Sequence, residues 1–520
     1  MTLISSRPLT PISFLERSAL VFAQHTAIVD GDTRFTYREF SERSHRLSGL
    51  LVGHGVRPGD RVAALCTNSH VLLELHHGVP GCGAALVALN IRQSEAELLT
   101  LLEHSGASVL VATHEFEETA RRLGTAAAIP VLVAGSAESS YEQGLAASDE
   151  HSWEVSDERS LLAINYTSGT TGRPKGVMYH HRGAYLQSLA MAYHASLGPR
   201  SSYLWTLPMF HCNGWCFTWA VTAAGGTHVC LREIDPELIW AKIRSGVTHF
   251  SAAPTVLTMI AGSESAAPLD HPVHVETGGA PPSPALLARM AELNIEVTHL
   301  YGLTETFGPV IINQWQPAWD DLDPATTAER QARQGVANII ATPVRVVGDD
   351  GRDVPADGAT PGELLLSGND LMLGYYNDPE ATAEATFEGW FRTGDIAVMH
   401  PDRYVEIRDR SKDVIISGGE NIASVEVERE IDSHPAVLES AVVGAPDDRW
   451  GEVPVGFVSV ARGHQLDTDE LIAYLRQRLA GYKIPRRYVL GELPRTSTGK
   501  IRKNELRAAL HSDQPVADAP

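Results

Sequence analysis

The sequence predicts an α/β protein, with a body of two βαβ-type subdomains, a small β-rich subdomain and a small α+β C-terminal domain. Short apolar strands such as Arg61-Val-Ala-Ala-Leu-Cys66, Ala84-Ala-Leu-Val-Ala-Leu89 and Ser108-Val-Leu-Val-Ala112 alternate with helix-like stretches at 37–55 and 94–104. That alternation is the mark of βαβ units and largely parallel sheets. At 520 residues the chain is too long for one hydrophobic core. Residues 344–408 break the pattern with short strands and turns such as Gly348-Asp-Asp-Gly351, which reads as the β-rich subdomain. A charged connector, Asp409-Arg-Ser-Lys-Asp413, follows. Beyond it, strand-like runs at Glu439-Ser-Ala-Val-Val443 and Gly456-Phe-Val-Ser-Val460 and a helical stretch at 468–479 make up the last domain. The expected limits are 1–409 for the large region and 410–510 for the small one. Residues 511–520, small, polar and rich in Pro and Ala, read as a disordered tail.

Charge and cysteine usage exclude several classes. With 42 Lys+Arg against 64 Asp+Glu, the net charge of −22 argues against nucleic-acid binding. Cys66, Cys82, Cys212, Cys216 and Cys230 form no even framework and no C-x-x-C, so a reducing cytoplasm is expected. The start, Met1-Thr-Leu-Ile-Ser-Ser-Arg-Pro8, lacks a basic segment followed by an apolar signal core. No apolar run approaches the ~20 residues that span a bilayer. His211, Cys212 and Cys216 have no second pair at zinc-like spacing, which favours pocket lining over a metal. The oligomeric state is not legible, and a homodimer is compatible with the chain.

The most informative stretch is Ser168-Gly-Thr-Thr-Gly-Arg-Pro-Lys-Gly176, after the strand-like run Leu161-Leu-Ala-Ile-Asn-Tyr166. Glycines let backbone N–H groups approach an anion, hydroxyls donate further bonds, and a lysine adds a point charge. The ligand so described is a polyphosphate. The loop is not a Walker A motif, because Arg173-Pro174 separates Gly172 from Lys175 and Gly176 stands where a metal-binding hydroxyl would be. ATP is therefore gripped in another manner.

Other segments make sense beside that loop. Tyr301-Gly-Leu-Thr-Glu-Thr306 offers an aromatic face for a purine, a hydroxyl, and a carboxylate, Glu305, able to hold Mg²⁺. Trp390-Phe-Arg-Thr-Gly-Asp395 ends in a carboxylate suited to ribose hydroxyls, and Arg410 is a second sugar-binding candidate. Ser417-Gly-Gly-Glu-Asn-Ile422 is a tight turn past which a thin ligand can run, and Pro494-Arg-Thr-Ser-Thr-Gly-Lys500 presents a lysine on a Gly-flanked loop.

Taken together, these motifs resemble the superfamily of AMP-forming acid ligases: acyl-CoA synthetases, adenylation domains and luciferases. The resemblance runs from about Pro11 to Leu510, with the motifs in family order and spacing. The segments Leu207-Pro-Met-Phe-His-Cys-Asn-Gly-Trp-Cys216 and Gly419-Glu-Asn-Ile-Ala-Ser-Val-Glu-Val427 are similar to acyl-activating enzymes for short- or medium-chain, benzoate-like or methylthio-propionate-like acids. Ile416 and Gly418 stand where hydroxycinnamate-CoA ligases carry lysines, and Phe250-Ser-Ala-Ala-Pro254 departs from the Cys-Gly-Ala-Pro form of the nearest subgroup.

The resemblance implies adenylation of a carboxylic acid, then transfer to the thiol of CoA, with ATP, Mg²⁺ and CoA as its small-molecule partners. Thr167, Ser168, Gly169, Thr170, Thr171, Gly172 and Lys175 would enclose the β- and γ-phosphates. Tyr301 and Gly302 would flank adenine, with Gly279, Ala280 and Pro281 opposite. Asp395 and Arg410 would bind ribose, while Thr304 and Glu305 hold the α-phosphate and Mg²⁺. Lys500 would bridge the carboxylate and the α-phosphate. The small domain would rotate about Lys412, withdrawing Lys500 and bringing Gly418, Gly419 and Glu420 to the pantetheine channel. The acid pocket would draw on His211, Cys212, Asn213, Trp215, Gly278 and His299. An amine, a carrier-protein thiol or an unusual oxyacid such as nitrite remains an alternative acceptor or acid, since the ATP motifs do not distinguish them.

Overall fold

A computed structural model describes residues 7–168, 174–410, 412–417, 420–447, 450–496 and 500–511. Apolar β-branched strands capped by well-signalled helices build the body. The helix Glu95–Ser105 starts in a capping box, Ser94 and Glu97 exchanging hydrogen bonds, and stops at Gly106 in the left-handed region. The helix Tyr37–Gly53 begins with the same device at Thr36 and Glu39. Such ends fix helix length, so each strand returns at the right height.

Two sheets with parallel cores form the body. The six-stranded sheet runs Val131–Ala134, Val109–Thr113, Arg61–Leu65, Ala85–Ala88, Leu161–Ser168 and Pro174–His180, antiparallel only in its last pair. The nine-stranded sheet has a parallel centre comprising Ile295–Leu303, Val273–Thr277, His249–Ala252, Ser202–Leu204, Thr227–Val229 and Thr26–Asp30. Alternation predicts this architecture, yet it does not foretell that Thr26–Asp30 and Thr33–Thr36 join the far sheet beside Thr227–Val229. One apolar cluster, including Leu15, Phe40, Leu86, Tyr179, Trp205 and Phe307, lies between the sheets and ties them together. Trp205, Trp219 and Trp240 are completely buried.

The β-rich block is an antiparallel five-stranded sheet of Arg345–Val347, Gly362–Leu366, Thr386–Phe387, Trp390–Met399 and Val405–Arg410. Arg410 still belongs to this sheet through its pairing with Asp395. Past it, Ile415–Ser417, Glu420–Ile422, Val437–Asp447, Gly451–Val460 and Arg487–Leu490 form a separate sheet with the helices Ser424–Asp432, Thr468–Leu475 and Lys503–His511. The predicted helix at 468–479 is shorter than expected, its end tightening into turns after Leu475. This small C-terminal unit has its own core around Val427, Ile431, Val442, Val458 and Leu471. It touches the body where Arg429 Nη1 approaches Glu406 Oε1 at 3.6 Å and where Ser424 N–H donates to Asp409. Among the described residues no helix is long and apolar enough to cross a membrane.

Candidate active site

Parallel strands leave their carboxyl ends on one edge, and Thr167, Gly279 and Tyr301 lie at or just past the ends of the strands Leu161–Ser168, Val273–Thr277 and Ile295–Leu303. The strands Leu161–Ser168 and Pro174–His180 pair as a hairpin, Thr167 opposite Lys175. Gly169, Thr170, Thr171 and Gly172 lie outside the described residues, as do Gly418 and Gly419. Lys175 Nζ sits 4.7 Å from the Tyr375 ring centroid. Tyr375 OH donates to Glu305 Oε1 at 2.8 Å. Tyr375 thus bridges the lysine of the phosphate hairpin and the expected Mg²⁺ carboxylate, a role sequence reasoning missed. Its only signal in the sequence is the Gly374-Tyr375-Tyr376 run.

Tyr301 and Gly302 end the strand Ile295–Leu303, and Thr304–Thr306 is a single 3₁₀ turn. A Cβ on Gly302 would fall 1.8 Å from the Gly308 carbonyl oxygen, so no larger residue fits that bulge. The Thr304 carbonyl accepts from Tyr179 OH at 2.7 Å, and its hydroxyl lies 3.3 Å from Cys212 Sγ.

Strand register makes the next contact. Asp395 and Arg410 oppose each other in the pair Trp390–Met399 and Val405–Arg410. Arg410 Nε is 3.1 Å from Asp395 Oδ1, and Tyr301 OH donates to Oδ2 at 2.5 Å. Burial opposes the guanidinium charge, but the Asp395 carboxylate outweighs it and raises the Arg410 pKa. Burial, then Asp395, holds the Tyr301 hydroxyl well above its ordinary value.

Lys500 comes from the C-terminal unit. The Arg495–Ile501 bridge closes its loop, and Thr496 N–H donates to the Lys500 carbonyl at 2.6 Å. The residue keeps solvent contact along its length, while its ammonium is desolvated in the cleft; that desolvation, then Arg410, lowers its pKa. Cys212, Asp395 and Glu305 act in the opposite sense. The stem passes Gly279, where an added Cβ would lie 3.6 Å from Lys500 Cε. Gly279, Ala280 and Pro281 form an exposed rim. Lys412 and Glu420 are exposed in the C-terminal unit.

The expected acid pocket is built differently. Cys212, Asn213, Gly214, Trp215 and Cys216 all have positive φ, between 40° and 63°. Left-handed backbone costs roughly 1–2 kcal/mol for each residue bearing a side chain. This turn places Trp215 against two glycines: a Cβ on Gly278 would meet its ring at 3.2 Å, and one on Gly308 would meet its Cβ at 3.1 Å. His211 lies close enough to feel the Lys500 charge; burial, then that charge, lowers its pKa to about 4. His299 is buried, donates through Nδ1 to the Arg333 carbonyl at 3.1 Å, and is likewise lowered to about 4 by burial. Asn213 is fully buried, with its amide spent on Asn165 and His76.

A Tyr–Asp–Arg lock around the buried Asp395, beside a lysine delivered by a second unit, suits the adenylate-forming class, and the fold is of that class. The chain belongs to the AMP-binding enzyme family, whose profile matches residues 15–376, while the AMP-binding enzyme C-terminal domain matches residues 426–500. It is 42% identical over 545 residues to a peroxisomal acetate/butyrate–CoA ligase of Arabidopsis thaliana, covering 98% of this chain and 95% of that one. An acetate–CoA ligase of Humulus lupulus is also 42% identical, with 96% and 94% covered. A peroxisomal benzoate–CoA ligase of Arabidopsis thaliana is 39% identical, with 96% and 93% covered. Among solved structures, ATP-bound MatB from Rhodopseudomonas palustris superimposes with a TM-score of 0.85 at 26% identity, covering 96% of this chain and 99% of that one.

Proposed function

We propose that this protein is an ATP-dependent acid–CoA ligase whose acid is a short-chain carboxylate. The carrying observation is the convergence on one cleft of Lys500, Glu305 and the Asp395–Arg410 pair, which the chain supplies from four separate segments. In the first step a carboxylate oxygen attacks the α-phosphorus of ATP, the bond to the bridging oxygen breaks, and pyrophosphate leaves with that electron pair. Thr167 through Gly172 and Lys175 hold the departing phosphates. Tyr301 and the Gly279–Pro281 rim enclose adenine, and Asp395 with Arg410 holds ribose. Lys500 faces the carboxylate and α-phosphate as charge gathers there; such a fixed charge acts by electrostatic stabilisation. Its lowered pKa reflects how little water shields it.

Glu305 offers a hard oxygen donor of the kind Mg²⁺ prefers, and Thr304 stands next to it. When bound with the phosphates, Mg²⁺ supplies charge neutralisation. In the second step the CoA thiolate attacks the acyl carbon, the carbon–oxygen bond to phosphate breaks, and AMP leaves; the thiol proton goes to solvent. Rotation of the C-terminal unit beyond Arg410 about Lys412 would withdraw Lys500 and admit Gly418, Gly419 and Glu420.

Trp215, braced by Gly278 and Gly308, fills space at the acid end, which supports a small acid; the relatives named for acetate and butyrate support the same choice. The five cysteines are all buried and unpaired, which supports a reducing compartment, and we place the enzyme in the cytoplasm. The test is mass analysis of products from a panel running from acetate to benzoate, with ATP, with and without CoA. Acyl-AMP without CoA, and acyl-CoA plus AMP with it, strongest from acetate to butyrate, is expected. Release of ADP would overturn the reaction, and thioester formation confined to aromatic acids would overturn the acid.

A further inference from the structure

We infer that Asn165, Asn213 and His76 form a positioning clamp that registers the acid-end turn against the phosphate hairpin. The inference rests on the reading of those two segments given above. The turn Cys212–Cys216 holds five consecutive residues in the left-handed region, four of them with side chains. Chain propensity opposes such a run, so it persists only where surrounding structure over-determines it. Asn213, its second residue, shows what does so.

Its side chain is fully buried, and both of its polar atoms are hydrogen-bonded. Oδ1 accepts from Asn165 Nδ2 at 2.5 Å, Nδ2 donates to His76 Nε2 at 2.8 Å, and the Asn213 backbone N–H donates to Asn165 Oδ1 at 3.1 Å. The Asn213 carbonyl accepts from Thr218 Oγ1 at 3.3 Å. His76 can accept because its tautomer is fixed: Nδ1 donates to the Leu72 carbonyl at 2.6 Å, leaving a lone pair on Nε2. The ring is held edge-on to Trp219, which donates from Nε1 to the His76 carbonyl at 3.0 Å.

Asn165 makes this more than local packing. It lies on the strand Leu161–Ser168, two residues before Thr167, which pairs with Lys175 in the phosphate hairpin. A paired amide both donates to and accepts from the turn, so sliding the strand drags the turn with it. The turn carries Cys212, 3.3 Å from Thr304 Oγ1, and Trp215 at the acid end. The clamp therefore sets the distance between the ATP-binding hairpin and the acid. Asn165, Asn213 and His76 are positioning residues; they act through Cys212, Trp215 and Thr167.

The test reads the turn directly and through kinetics. All five cysteines are buried, so their reaction with a thiol reagent reports local opening, site by site, after peptide mass analysis. In His76→Phe and Asn165→Leu, labelling of Cys212 and Cys216 should quicken by about tenfold or more, while Cys66, Cys82 and Cys230 stay protected. In ATP–pyrophosphate exchange, kcat should fall by about 10²-fold and KM for the acid should rise, with KM for ATP nearly constant in His76→Phe. His76→Gln, which keeps an acceptor, should restore most of both. Equal quickening at all five cysteines would reduce the network to general core stability and overturn the clamp, as would unchanged labelling. An exchange-inactive parent enzyme would overturn the ligase reading, while thiol protection would still judge the clamp.

Discussion

In the half of the cleft proposed for the nucleotide the groups are charged and strand pairing sets their partners; in the half proposed for the acid they are neutral and a strained turn sets their places. Asp395 and Arg410 face each other because adjacent antiparallel strands make them neighbours. Cys212 and Trp215 reach their positions on left-handed backbone that buried hydrogen bonds sustain. His76, His211 and His299 line or support that half with pKa values lowered to about 4 by burial. The contrast has a physical reason. Phosphate and ribose are recognised by charge and hydrogen bonds that work beside water, whereas a small apolar acid is selected by shape in a dry, uncharged wall.

The most forceful way to break this arrangement is acid. His76, His181, His211, His249 and His299 are all lowered to about 4, chiefly by burial. The unfolded chain protonates these rings near pH 6.5 and the folded chain only near 4. Between those values the unfolded state binds more protons, so stability falls as pH falls, by up to about 1.4 kcal/mol per pH unit for each ring. His70 opposes the trend at higher pH. Despite burial, its bonds to Asp30 and Glu142 raise it to about 9, and its contribution is lost as pH rises from 6.5 through 9. Thermal unfolding followed from pH 9 down to 4.5 should show a maximum near neutrality and a steep loss below 6.5. A flat acid limb would mean those rings are already charged in the native protein.

A second test separates the halves chemically. Lys500→Ala should lower acyl-AMP formation by about 10²–10³-fold while largely sparing thioester formation from supplied acyl-AMP. Equal loss in both half-reactions would remove the lysine from the first step alone.

The smallest expected effect sharpens the contrast instead. Gly308→Ala introduces a Cβ 3.0 Å from Trp215 Cα at a φ of +100°, and should cost about 1–3 kcal/mol of stability. Its kinetic mark should be a raised KM for the acid with KM for ATP unmoved. A parallel rise in both would mean that Trp215 does not act on the acid alone.

Legibility in the sequence follows the same division. The nucleotide half rests on contiguous motifs, residues 301–306, 390–395 and 409–413, whose residue types announce their chemistry. Alternating strands and helices likewise signalled the α/β body and the separate last unit. The acid half was only partly readable. His211, Cys212 and Trp215 stood out, yet nothing in a Cys-Asn-Gly-Trp-Cys run requires left-handed backbone at every position; only Asn213-Gly214 is a recognised turn former. Asn165 and His76 are unremarkable in sequence and acquire meaning only when strands and helices from different parts of the chain close on Asn213. Tyr375 was hidden for the same reason.

The hairpin of Thr26–Asp30 and Thr33–Thr36 has a consequence for biosynthesis. Its partner strand in the nine-stranded sheet is Thr227–Val229, about 190 residues further along the chain. At ribosomal speeds of ~5–20 residues per second, the N-terminal hairpin waits roughly 10–40 s with one edge unpaired before its neighbour is made. Nascent chains of this protein should therefore depend on a holdase for that interval, and a premature stop before Thr227 should yield an aggregating fragment rather than a folded half.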